Sequence, residues 1–216
     1  MRYFFVVISF LIASCSDNTQ TSQKVPGDSA QISLIGTTKN IWVDKLNQRH
    51  YPLPDSIGGK PASFYLENPK VASIAKLLYQ GQFRPMDNDS TTQLLGYVTT
   101  DDSTIRPFYR WGLDFIIEIS DGALAEYPGE PALKYATKFP KEFFAYIDKD
   151  KSGERYKQWT EIIAYSGLDN YEEKPDKIQR QITRNMFDNC ELCNDSIRQR
   201  IEKFAKDIID AIKAQD

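Results

Sequence analysis

Between Asp148 and Gly153 the chain reads Asp-Lys-Asp-Lys-Ser-Gly, which puts side-chain oxygens at Asp148, Asp150 and Ser152 ahead of a glycine. Hard oxygen donors at alternate positions can turn toward one cation, and glycine permits the sharp bend that closes such a loop, so the chemistry implied is weak Ca2+ binding. A second acidic group comprises Asp114, Glu118, Asp121 and Glu126, with Glu130 following. A pair of carboxylates suffices for glycoside cleavage, one as acid and the other as base or nucleophile. The bland alternative for the same four residues is a solvated or salt-bridged acidic face. Cys190-Glu-Leu-Cys193 is the third candidate, a C-x-x-C pair that can form a disulfide, stay reduced and buried, or cycle between the two states.

Measured against a calcium loop of the EF-hand type, only the first half of 148–159 agrees. Asp148, Asp150 and Ser152 take the first three ligand positions, Gly153 the turn and the Glu154 carbonyl the next position. Position 8, normally apolar, is Arg155; position 12, where a bidentate glutamate belongs, is Trp159, and Glu161 comes two residues late. A helix stop followed by a Ser152 N-cap accounts for the same residues without an ion. The cysteine pair lacks a histidine at 194 for haem attachment, and the chain lacks the further thiol or imidazole ligands that zinc needs.

Other chemistries lose support through composition. The single histidine, His50, stands between Arg49 and Tyr51-Pro52 in a breaker-rich stretch and reads as a hydrogen-bonding or exposed residue, so a multi-histidine metal centre is excluded. No G-x-S-x-G elbow, phosphate-binding glycine loop or dinucleotide glycine signature is present. With 27 Lys+Arg against 30 Asp+Glu, the chain lacks the basic footprint of a nucleic-acid binder.

The chain opens on Arg2, an apolar run from Tyr3 to Ala13, small residues and Cys15. The run falls short of the roughly 20 residues a membrane-spanning helix needs, and its order is that of a cleaved export signal. Ile12-Ala13-Ser14-Cys15 resembles the lipobox of bacterial lipoproteins, whose class II signal peptide is cut so that the cysteine becomes the lipidated first residue. That resemblance covers the first fifteen residues and implies a signal peptide at 1–14, lipidation (palmitate among the acyl chains) of Cys15, and a membrane partner held through the anchor. Three acyl chains exceed the two signals that stable anchoring requires. Residues 16–30 are polar and aperiodic, a flexible tether spanning about 20 Å on average. Ser16 at the position after the cysteine favours the outer membrane and leaves the leaflet open.

Residues 31–216 read as one domain that must position these groups. Residues 31–36 and 40–43 flank Thr37-Thr38-Lys39 as a strand pair, and prolines and glycines between 51 and 61 mark an irregular arm. Asn68-Pro69 predicts a helix over 69–80, and Pro107 opens a second whose apolar residues, from Phe108 to Ile119, cover most of its circumference. Leu94 to Val98 fits neither period. Short helices are expected over 131–138 and 140–147, then over 154–166, from Pro175 onward, and over 195–214 with Ile197, Ile201, Phe204, Ile208 and Ile212 on one stripe.

The expected fold is mainly α: an irregular multi-helix bundle or stack with a short N-terminal β-like arm. The expected function is that of a lipid-anchored envelope protein binding another envelope protein, as a complex subunit or an immunity-type inhibitor. A carboxylate-dependent hydrolase of envelope glycan and a weakly calcium-binding domain are the alternatives.

Overall fold

Proline at the second position of a helix costs no hydrogen bond, because the first N–H groups of a helix have no partner inside it. Pro107 sits there in α4 (Arg106–Ile119), and ten of its fourteen residues are buried. The computed structural model describes residues 41–44, 49–168 and 174–215, and α4 runs through the middle of them. Before it come β1 (Ile41–Asp44), β2 (Arg49–Pro52), β3 (Ser56–Ile57), β4 (Lys60–Pro61), α1 (Ala62–Leu66), α2 (Ser73–Tyr79) and α3 (Asp89–Gly96). After it come α5 (Gly129–Lys138), α6 (Pro140–Ile147), α7 (Glu154–Ser166), α8 (Pro175–Asp188) and α9 (Asp195–Lys213). The described residues are thus mainly helical, with two small antiparallel sheets near the start.

Two aromatic groups fill the core on either side of α4. Trp42 packs edge-on against Phe115, 5.1 Å between ring centres, and stacking of Trp111 on Phe115 and of Tyr65 on Phe108 carries the contact along α4. On the other side Trp159 of α7 meets Tyr135, Phe143 and Tyr146, while Phe204 of α9 meets Phe143 and Phe144. Helix α9 packs on α7 and α8, and α5 packs on α6, α7 and α8. Ile201, Phe204 and Ile208 of the α9 stripe are fully buried, with Ile197 and Ile212 at its partly covered ends.

Three expectations change. Strand β1 exists, but its described partner is β2, with Trp42 opposite Tyr51 and Val43 opposite His50; residues 31–40 lie outside the described residues. The helix expected from 69 starts at Ser73. Asn68 spends its Oδ1 on the Lys70 N–H at 2.9 Å, closing a turn instead of a cap, and the Ala72 N–H donates to the Tyr109 hydroxyl 37 residues on. Leu94 and Leu95 belong to α3, whose first turn is capped by Asn88 Oδ1 accepting from the Thr91 N–H at 3.1 Å, and Val98 lies in the tight turn that follows.

Candidate functional site

Arg106, Arg110, Asp114 and Glu118 recur every fourth residue, a polar line along the otherwise apolar α4. Arg106 and Arg110 are buried, at 6% and 5% exposure, and a buried cation must be paired or the fold carries its full desolvation cost. One carboxylate from α6 serves both. Arg106 Nε donates to Glu142 Oε2 at 2.9 Å, and Arg110 Nη1 donates to Glu142 Oε1 at 2.8 Å and to the Tyr135 hydroxyl at 3.0 Å. The Tyr135 hydroxyl in turn donates to Glu142 Oε1 at 3.0 Å, and Arg106 Nη1 reaches the Thr100 carbonyl at 2.7 Å. Each guanidinium also lies on an aromatic face, Arg106 at 3.8 Å from the Phe139 ring centre and Arg110 at 4.2 Å from that of Tyr146.

One turn further along α4, Asp114 faces α6 and α7. It accepts from the Tyr146 hydroxyl at 2.5 Å, from Trp159 Nε1 at 2.6 Å and from Arg155 Nε at 3.2 Å. Burial, reinforced by the Asp114 charge, pushes the Tyr146 hydroxyl well above its ordinary range, and burial does the same to Tyr135. Both phenols therefore stay protonated and act as fixed donors. The Glu118 carboxyl is raised first by partial burial and then by Asp114, with Arg155 pulling the other way. Arg106, Arg110 and Asp114 brace α4 against α6 and α7 by charge-assisted hydrogen bonds.

Of the four carboxylates expected to form a polar site, Asp114 and Glu118 are brought together on one helix face. Glu118 is exposed, as are Asp121 and Glu126 beyond the end of the helix, and Glu130 pairs with Lys134 at 2.9 Å. Sequence reasoning missed Arg106, Arg110, Glu142, Tyr135, Tyr146 and Arg155. The four-residue recurrence of charge within an apolar helix was the available signal for the α4 members, whereas nothing local marks Glu142 or the tyrosines.

The oxygens of the 148–153 loop are engaged within the protein. Asp148 forms a two-pronged ion pair with Arg200 of α9, at 2.8 and 2.6 Å, which holds its carboxyl below the usual range. Asp150 Oδ1 accepts from the Ser152 hydroxyl at 2.6 Å and its N–H at 3.0 Å, and Oδ2 accepts from the Arg155 N–H at 2.8 Å. Those donors, the Ser152 hydroxyl foremost, lower the Asp150 carboxyl to about 2. The cap is shared: Gly153, in the left-handed region at φ +82°, occupies the N-cap, the expected Ser152 hydroxyl accepts from the Glu154 N–H at 3.2 Å, and Asp150 from three residues earlier supplies a further oxygen to the first turn of α7. Trp159, in the place of the glutamate, is fully buried. Among the described residues no group of three or more His, Cys, Asp and Glu converges as a metal ion would require.

Cys190 and Cys193 are joined as a disulfide, Cα atoms 5.2 Å apart, in the link between α8 and α9. Their loop projects Leu192, 86% exposed, beside a cleft of about 430 Å³ lined by Phe139, Pro140, Glu142 and Asn189. His50 is exposed on β2. Cys15 and the expected signal peptide and tether, residues 1–30, lie outside the described residues, and no described helix is long and apolar enough to cross a membrane. No protein-family model, curated protein or solved structure matches the chain.

Proposed function

We propose that the chain is a lipid-anchored protein of the bacterial cell envelope that acts by binding another envelope protein, as a complex subunit or an immunity-type inhibitor. The observation that carries this proposal is the order of Arg2, the apolar run, Ala13-Ser14 and Cys15, followed by a polar tether. A tethered domain searches a shell near the membrane and meets partners at raised effective concentration. The inward-facing groups best suited to chemistry, Asp114, Glu142 and the arginines, are spent on one another, which favours binding over catalysis. The test is crosslinking in intact cells. The full-length protein is expected to recover the same envelope protein in repeated experiments, with Cys15→Ala losing it; recovery of no specific partner by the anchored protein overturns the proposal.

A glycan hydrolase is the second reading, favoured by one observation: Glu118, with a raised carboxyl, stands beside the paired Asp114, the asymmetry a general acid requires. Release of reducing sugar from purified peptidoglycan, lost in Glu118→Gln, supports it, and no release at any pH removes it.

A further inference from the structure

The dipeptide Asp-Ser occurs five times, at 28–29, 55–56, 89–90, 102–103 and 195–196, and alanine, isoleucine or threonine follows each time. Nineteen aspartates and 15 serines scattered over 216 residues give about one such dipeptide by chance. The first copy lies outside the described residues. In the other four, Ser56, Ser90, Ser103 and Ser196 are all exposed, one in a short hairpin and three at helix starts: the first turn of α3, the turn before α4 and the first turn of α9.

Helix-start chemistry explains the neighbours of these serines and leaves the serines out. Asn88 and Asn194 cap α3 and α9 by accepting from the N–H groups of Thr91 and Ile197, at 3.1 and 3.0 Å. Asp102 Oδ1 accepts from the N–H and the hydroxyl of Thr104, at 2.9 and 2.6 Å. In none of these networks does the intervening serine hydroxyl take part, so a repeated residue stands at the surface with its oxygen unused. Repetition of one tripeptide in a hairpin as well as at helix starts, with the serine hydroxyl serving neither, points to a reader of sequence rather than of fold.

We propose that Asp-Ser-(Ala/Ile/Thr) is an acceptor sequence for O-glycosylation and that Ser56, Ser90, Ser103 and Ser196 carry sugar. The serine Oγ attacks the anomeric carbon of a glycan on a polyprenyl diphosphate; the new C–O bond forms as the bond to phosphate breaks. The polyprenyl diphosphate leaves with the bonding pair, and the hydroxyl proton passes to a base of the transferase. This donor class rests on the envelope location proposed above, where lipid-linked sugars are delivered and nucleoside triphosphates for a kinase are not. The aspartate offers a charged handle and the third residue a small or β-branched one. Ile57 and Thr91 are buried while Thr104 is exposed, so the tripeptides of Ser56 and Ser90 are fully legible only before the domain folds, and that of Ser103 stays legible afterwards.

The test is mass spectrometry of the full-length protein purified from its own envelope, with glycopeptides mapped before and after alkaline elimination. Sugar is expected on the four serines and absent from Ser63 and Ser73, which are exposed but follow alanine. Replacing all four by alanine is expected to remove the sugar from these positions without loss of anchoring. An acylated chain with four bare serines overturns this inference and leaves the anchored protein standing. A chain found without acyl groups in the cytoplasm overturns both. Phosphate on these serines, or equal sugar on Ser63 and Ser73, overturns the inference alone.

Discussion

Glu142 carries the largest single responsibility in the polar line, because one carboxylate neutralises two buried arginines. Removing the charged partner of a buried pair costs about 3–5 kcal/mol, and the 29% exposure of the Glu142 side chain places Glu142→Gln toward the lower figure. Urea denaturation should show that loss with an unchanged slope. Glu118→Gln should act in the opposite sense. Its folded-state carboxyl is raised, so ionisation opposes folding at neutral pH; the variant should be the more stable one at pH 7, and the difference should vanish below about pH 4, where the unfolded carboxyl is protonated too. Asp150 is the reverse case. Its carboxyl is lowered to about 2, so its contribution is complete above the ordinary aspartate range near 3.9 and is lost as pH falls from there toward 2. Asp150→Ala should melt earlier than the parent at pH 7, and the gap should close over that acid interval.

Among the elements, those with strong periodicity and a clear first turn were legible: α7 spans Glu154–Ser166 as read, and α8 buries Ile178, Ile182 and Met186. The start of α2 was not, because a tyrosine on α4 takes the Ala72 N–H, which a helix begun at 69 would donate to the Asn68 carbonyl, and such a partner leaves no local mark. The 148–153 turn was legible as a turn and Ser152 does accept from the first N–H of α7, yet the second capping atom was missed, since a left-handed glycine lets Asp150 reach forward over it. The α5–α7 junction was invisible in the same way. Glycines 129 and 167 meet there, and a Cβ on Gly129 would come within 2.5 Å of the Gly167 nitrogen and the Ile162 carbonyl oxygen. Gly129→Ala should therefore cost at least about 1–3 kcal/mol by thermal or urea melting. Gly96→Ala, where nothing lies within 4 Å and φ is −60°, should be neutral or gain a few tenths.

On the scale of the whole molecule, the described residues form a helical domain, and in the proposed function the N-terminal segment supplies its address. The paired interior of α4, α6 and α7 leaves the outer surfaces to carry function, among them the cleft where the disulfide loop holds Leu192 outward. An address can be proposed from sequence, because export and lipidation are read by enzymes from a linear signal, whereas a binding surface is assembled from residues far apart in the chain. The central claim is therefore tested most directly at Cys15, by intact-mass analysis and membrane fractionation of the wild-type protein and Cys15→Ala from the same cells. The wild-type chain is predicted to begin at Cys15, to carry acyl chains and to sediment with membranes, while Cys15→Ala lacks the acyl chains. A wild-type chain that is soluble, with an unacylated Cys15, contradicts the account.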